Sequence, residues 1–353
     1  MNDHNIDGHK LHYHPERVSE WMAGKTGYPV YIEISPINAC NHSCTFCALD
    51  HVRSEYSSID TRLLEERITE IAELGVKSVM YAGEGEPLLH PDIIRILSVT
   101  RSSNIDAAIT TNGTGLDKID IEELLASLSW LRISINAGNA AAYAQIHNCD
   151  TSDFDKVISN LRRTVSVRDK SGLKSTVGVQ FLLLPENRES LSDLIKTVRD
   201  TGADYVIVKP YCEHLLNTKS RYNSIDYTDF IALDDELKSL SSEDCRVIFR
   251  RKSIEKSKLP REYDACCGLD FFSYIDSRGN LYPCQAFIGD DRYIMGNIHE
   301  ARFEQIWNSK QRASVLELVA SEFPSKCRRL CRLDEINKYL WKLKNPDKHI
   351  NFI

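Results

Sequence analysis

The chain lacks any run of eighteen apolar residues, so nothing in its 353 residues reads as a membrane-spanning helix. A surplus of positive charge is missing too: 44 Lys and Arg stand against 51 Asp and Glu, a net of −7, which argues against nucleic acid as the main partner. The N-terminus, MNDHNIDGHK, has no apolar stretch before a small-residue cleavage site. No secretory signal is read there, and a cytoplasmic location is expected. Low-complexity tracts are absent, as is any repeat beyond a strand and helix unit. With 42% apolar and 27% charged residues, the sequence describes a globular protein whose partners are small molecules or polypeptides. What it holds in quantity is cysteine. Eleven of them, an odd number in a reducing compartment, do not read as a disulfide framework, and they mark where the chemistry is to be sought.

Short β-branched runs alternate with helical patterns, the arrangement of strand and helix units around a parallel sheet. Strands are expected near 30–36, 77–83, 105–111, 131–136, 176–184 and 204–210, with helices near 60–74, 91–101, 119–129, 152–169 and 188–201. The strands have an oily and a polar face. Val30, Ile32 and Ile34 alternate with Tyr31, Glu33 and Ser35, and Leu131, Ile133 and Ile135 alternate with Arg132, Ser134 and Asn136. A flat parallel sheet covered on both sides needs apolar residues on both faces, whereas a curved sheet with helices outside and a polar interior needs this alternation. The fold class expected is α/β, a partial barrel of six units over 29–240, after an N-terminal arm over 1–28. The clustered His4, His9, His12 and His14 of that arm read as solvated side chains. A smaller domain over 241–353 is expected, opening on a basic stretch at 246–262, with a β-hairpin in 268–284 and helices near 300–320 and 332–344.

Cys40, Cys44 and Cys47 stand in the run CNHSCTFC just after the first strand, on the end of a barrel where active sites assemble. Three thiolates leave one coordination position open on the metal or cluster they hold. A zinc ion completed by His42 or His51 is the rival reading. The C-x3-C-x2-C spacing, with Phe46 before the last cysteine, resembles the signature loop of the radical S-adenosylmethionine (radical SAM) enzymes. Gly83-Glu84-Gly85-Glu86-Pro87 resembles the Gly-Gly-Glu-Pro segment of that superfamily, with Glu84 as a departure where glycine is common. The resemblance implies a partial six-unit barrel and a 4Fe-4S cluster on the three thiolates, with S-adenosylmethionine (SAM) on its fourth iron. It also implies a 5′-deoxyadenosyl radical that abstracts hydrogen from the substrate, and an electron donor such as flavodoxin or ferredoxin. By position it assigns cofactor contacts to Phe46, Gly83, Gly85, Glu86, Pro87, Asn112, Ser134, Asn136, Gln180 and Leu182.

A second set follows: Cys267, Gly279 in the hairpin turn, Cys284, then Cys327 and Cys331. The hairpin brings its flanking cysteines to one end, and a one-turn spacing sets Cys327 and Cys331 on one face. A zinc ribbon on the same thiolates is the alternative. The pattern resembles the shortened SPASM domain called Twitch, which implies a second, auxiliary 4Fe-4S cluster on Cys267, Cys284, Cys327 and Cys331. Cys267 is preferred over its neighbour Cys266 because the Cys-Gly that opens this segment is usual in that family.

For substrate contacts the sequence offers Lys209, on an inward face, with Glu33 as its expected ion partner, and Cys212 as a thiol able to return hydrogen to a substrate radical. Local basic surplus, including Lys326, Arg328, Arg329 and Arg332, suits a phosphorylated or nucleotide-linked substrate or offsets a thiolate cluster. The resulting expectation is dehydrogenation of an alcohol carbon in a sugar, nucleotide sugar or aminocyclitol. A redox-neutral epimerase or lyase and a ribosomal peptide-modifying enzyme are the alternatives.

Overall fold

Among the described residues, ten strands form one sheet: β1 (Tyr31–Ile34), β2 (Ser78–Tyr81), β3 (Asp106–Thr111), β4 (Trp130–Ser134), β5 (Thr176–Leu183), β6 (Tyr205–Pro210), β7 (Arg246–Phe249), β8 (Phe272–Ile275), β9 (Asn280–Tyr282) and β10 (Gly296–Asn297). The computed structural model describes residues 8–25, 27–217, 221–222 and 225–352, so His4 of the N-terminal cluster lies outside the described residues. Strand order is β10-β9-β8-β1-β2-β3-β4-β5-β6-β7, with β8 and β1 to β7 mutually parallel and β9 and β10 antiparallel.

The face pattern is the one the alternation dictates. In β4, Leu131 and Ile133 are fully buried against the helices, while Trp130, Arg132 and Ser134 keep some surface on the opposite face. Register then lines up an inner wall: Arg132 faces Gly178, Ser134 faces Gln180, and Lys209 lies beside Leu182. Helices Thr61–Glu73, Ile93–Ser102, Ile121–Ala126, Ser152–Lys170 and Leu191–Arg199 cover the oily face. Together they make a partial barrel.

Three departures from the sequence reading bear on the site. The sheet does not end with six strands near 240. Arg246–Phe249, inside the basic stretch, carries the β-branched and aromatic run Val247-Ile248-Phe249 and pairs with β6, and β8 of the expected hairpin pairs in parallel with β1. A helix not expected, Ala140–His147, follows β4. The described part of the N-terminal arm, from residue 8, packs on the fold, with His12 left exposed and His9 and His14 half-buried. Its helix Pro15–Met22 puts Val18 into a small core with Leu11, Val30, Cys267, Phe271 and Leu340, and Trp21 Nε1 donates to Asp270 at 2.9 Å. The hairpin turn forms as expected: Gly279, at φ +82°, donates to the Asp276 carbonyl at 3.0 Å, and the Asp276 carboxylate accepts from the Arg278 and Asn280 amides.

Candidate active site

The loop of Cys40, Cys44 and Cys47 leaves the C-terminal end of β1 and is held against the unexpected helix. Ser43 N and Thr45 N donate to the carbonyls of His147 and Ile146 at 3.3 and 2.9 Å. His147 Nε2 accepts from the Asn136 amide at 3.3 Å and lies 3.2 Å from Asn136 Nδ2, so the proton sits on Nδ1, which points at Cys44 Sγ 3.4 Å away. Burial and then nearby His42 hold His147 well below the usual histidine range, so this ring stays neutral. Tyr143 stacks on it at 4.0 Å and Phe46 meets it edge-on at 5.6 Å. Burial first, then Cys47 and Cys40, push the Cys44 thiol well up, so three thiols crowd one place where only a bound cation would favour their thiolate forms.

Beneath this loop runs the Gly83–Pro87 segment. A side chain at Gly85 would strike the carbonyl oxygens of Ala39 and Ile37, so only glycine lets the two loops touch. Gly83, at φ +138°, lies against the Tyr274 hydroxyl. Glu86 is committed to the scaffold. Its carboxylate accepts from Thr111 Oγ1 at 2.6 Å, Asn112 N at 2.6 Å and Leu88 N at 3.1 Å, and its own amide donates to the Ala39 carbonyl at 2.8 Å. Pro87 opens the 3-10 turn that follows. Asn112 Nδ2 donates to Asn41 at 2.8 Å and Asn41 Nδ2 to Thr114 at 2.7 Å, which closes a ring between the cysteine loop and β3. Asn136 is likewise engaged, accepting from Leu182 N at 2.6 Å while its carbonyl accepts from Asn187 Nδ2 at 2.9 Å. Ser134 and Gln180 keep part of their surface on the inner wall.

Glu84, the departure within this segment, reaches across to the hairpin turn, where its buried carboxylate accepts from Ser277 N at 2.7 Å. Burial first, and then Asp276, push its carboxyl up to about 7. The folded state therefore binds its proton more tightly than the unfolded chain. The resulting penalty is absent below the usual carboxylate range and grows as pH rises to about 7. Glu84→Gln keeps the acceptor for Ser277 and removes the charge. Melting by circular dichroism should show it raising Tm at pH 8 and leaving it nearly unchanged at pH 4.5; equal shifts at both would count against this reading.

On the inner wall the expected Lys209–Glu33 pair does not form. Fully buried Glu33 is bound instead by Arg332, by Gln285 Nε2 and by the Tyr31 hydroxyl at 2.6 Å, because the segment after Cys331 folds back over β1. Arg332 also reaches Gln285 Oε1 at 3.1 Å. The Gln285 carbonyl accepts from Arg328 at 2.7 Å and lies 2.9 Å from His214 Nε2. Cys212 points its thiol at the Leu330 carbonyl, 3.3 Å away, between the last two cysteines of the second set.

In that second set the structure separates the two neighbouring cysteines. Burial, then Asn337, then Cys284, Cys327 and Cys267 govern the Cys266 thiol, which accepts from Asn337 Nδ2 at 3.3 Å. Cys331 feels Cys327, Cys284 and Cys266 in turn. Cys267 points the other way, into the small apolar core with Leu11 and Leu340, where Lys344 and Asp270 are the charges it feels. The thiols that gather are therefore Cys266, Cys284, Cys327 and Cys331, and the expected Cys267 is not among them. A hydrogen bond from Cys331 and the Arg261 and Arg328 guanidiniums hold Cys327 below the usual thiol range, a setting for thiolate.

Both thiol sets fit iron-sulfur clusters better than zinc. A tetrahedral zinc ion spaces its sulfurs ~3.8 Å apart. Among the described residues the triads with ligand atoms within 4.8 Å of one another are His42–Cys44–His147 and His42–Cys149–Asp153, and neither joins two thiols of either set. His42 is taken by Asp153 at 3.1 Å, and both nitrogens of His51 are buried without a partner. Sequence reasoning missed His147, Asn41, Gln285 and Asn337, and the pairing of Arg332 with Glu33, because the partners lie 40 to 300 residues away or behind an unexpected helix. No helix among the described residues is long and apolar enough to cross a membrane.

Comparison with known proteins gives two family matches, the radical SAM superfamily over residues 34–198 and the SPASM iron-sulfur cluster-binding domain over 266–332. A probable GTP 3′,8-cyclase of Methanocaldococcus jannaschii is 29% identical over 183 residues, covering 50% of this chain and 58% of the cyclase. The chain thus matches little more than half the length of that protein. The PqqA peptide cyclase of Gluconobacter oxydans is 23% identical over 278 residues, covering 76% of this chain and 74% of that one. The structure of Streptococcus suis SuiB bound to precursor peptide SuiA superposes with a TM-score of 0.67 at 18% identity, over 96% of this chain and 78% of SuiB, which shows a shared fold. None of these three names a sugar or an alcohol dehydrogenation.

Proposed function

The chain belongs to the radical SAM superfamily and carries a SPASM iron-sulfur domain, and we propose that it is an enzyme that modifies a ribosomally made peptide at an unactivated carbon. The observation that carries the peptide reading is that the PqqA peptide cyclase, named for its peptide, matches over 76% of this chain and 74% of its own length. At 278 residues the match is longer than the barrel segment and must run on toward the cluster-binding domain.

In this reading Cys40, Cys44 and Cys47 hold one 4Fe-4S cluster, and Cys266, Cys284, Cys327 and Cys331 hold the other. When bound, SAM and these clusters supply a 5′-deoxyadenosyl radical and a one-electron conduit, fed by a donor such as flavodoxin or ferredoxin. The protein's own part is positional. Gly85 and Glu86 lock the cysteine loop onto β2 and β3, His147 Nδ1 supports Cys44, and Gly83 lets the Tyr274 hydroxyl pack against this segment. Ser134 and Gln180 offer polar groups where the ribose and adenine of SAM would lie. A substrate seated on the inner wall would displace water from it, so that the radical meets its target and little else.

A second reading, a small phosphorylated or nucleotide-linked substrate, is favoured by the cationic inner wall. One experiment separates the two: anaerobically reconstituted enzyme is offered precursor peptides, GTP and nucleotide sugars, and substrate-dependent 5′-deoxyadenosine is measured. Formation with a peptide is the expected result. Formation with a nucleotide or sugar and with no peptide would overturn the peptide reading.

A further inference from the structure

Lys209 and Arg132 stand on the same inner wall, on β6 and β4, without a carboxylate partner among the described residues. The carboxylate best placed to serve them, Glu33, is saturated by Arg332, Gln285 and Tyr31. Arg132 is locked in place: its guanidinium lies 4.5 Å from the Trp130 ring and 5.7 Å from that of Tyr205, and Nε donates to the Tyr205 hydroxyl at 3.1 Å. That bond uses one edge of the planar fork and leaves the terminal nitrogens for a ligand. Gly178, between Arg132 and Tyr205 in register, makes room for the Tyr205 ring that props the guanidinium. Burial first, then the Arg132 charge, lower the Lys209 ammonium to about 8, with Cys212 as the opposing influence and Arg250 and Arg328 adding to the repulsion. A protein gains nothing in stability by placing two such cations on one inner wall of its sheet.

We propose that Arg132 and Lys209 form the seat for an anionic oxygen group of the substrate, a carboxylate or a phosphate. This rests on the reading that the inner wall is where the substrate is modified. In a peptide substrate the group is the carboxylate of an acidic residue near the reacting carbon, and in a nucleotide it is a phosphate.

The test is calorimetric titration of reconstituted, SAM-saturated holoenzyme with glutarate and, separately, with inorganic phosphate. Saturable binding of at least one probe is expected. It should weaken at least tenfold in Arg132→Gln and in Lys209→Met and return largely in Lys209→Arg, with iron content unchanged in every variant. Preference for glutarate assigns the seat to a carboxylate. Preference for phosphate supports the seat while counting against a peptide, so the two readings fail separately. The proposal is overturned if neither probe binds once SAM is present, since the cations would then serve the SAM carboxylate, or if binding survives both substitutions.

Discussion

Cys44→Ala is expected to reduce 5′-deoxyadenosine formation below detection and to lower the iron content of reconstituted protein from about eight atoms per chain to about four. The expectation follows from how this thiol is held. Cys44 lies in the middle of a loop whose backbone is pinned to the end of helix Ala140–His147, and its sulfur is the one that His147 Nδ1 faces at 3.4 Å. Its thiol is pushed well up by burial and by Cys47 and Cys40, so as an isolated acid it would hold its proton. A bound cation reverses that balance, because metal ligation takes the thiolate form and offsets the cost of desolvating it. Cys40→Ala and Cys47→Ala should give the same result. Cys149→Ala is the control: that residue belongs to the His42–Cys149–Asp153 triad and to neither thiol set. If iron and product vanish with Cys149 and persist without Cys44, the chemistry of the loop lies with that triad and the cluster assignment fails.

The parts of this site that could be read in the sequence are those whose partners are near in the chain or fixed by periodicity. Cys40, Cys44 and Cys47 fall within eight residues, and the two-residue alternation of β4 places Arg132 and Ser134 on the inner wall without any tertiary knowledge. Helix Ala140–His147 escaped because AAAYAQIH offers little contrast between its faces, and with it went His147, the residue that addresses Cys44. The partner of Glu33 escaped for another reason. Arg332 lies 299 positions further on and arrives only because the segment after Cys331 turns back over β1, which no local pattern encodes. Strand β7 was hidden by the charges around it, although its four residues, Arg246–Phe249, carry the β-forming side chains. The choice between Cys266 and Cys267 shows the limit most sharply. Adjacent residues in a tight turn point in different directions, so composition and spacing serve both equally well, and packing alone decides.

That choice leads to the second large effect. Cys266→Ala should remove the auxiliary cluster, lowering iron from about eight atoms to about four. Cys267→Ala should keep all of it and cost only packing. Cys266 is within the electrostatic reach of Cys284 and Cys327 and accepts from Asn337 Nδ2 at 3.3 Å. Asn337 is itself fixed, being almost fully buried and accepting from Gly268 N at 2.7 Å, so the turn that carries both cysteines is held with the Cys266 sulfur facing the other thiols. Cys267 is 8% exposed among Leu11, Val18, Val30, Phe271 and Leu340, where truncation to alanine leaves a small void worth about 1 kcal/mol. Turning the Cys267 sulfur toward the cluster would empty that core, place the Cys266 sulfur among apolar side chains and break both Asn337 bonds, a cost of several further kcal/mol by the usual worth of such contacts. SAM cleavage without substrate depends on the first loop and should survive in Cys266→Ala, while turnover of the substrate is lost; this split distinguishes a missing auxiliary cluster from a protein that has failed to fold. Loss of iron in Cys267→Ala, with full iron in Cys266→Ala, would reverse the assignment.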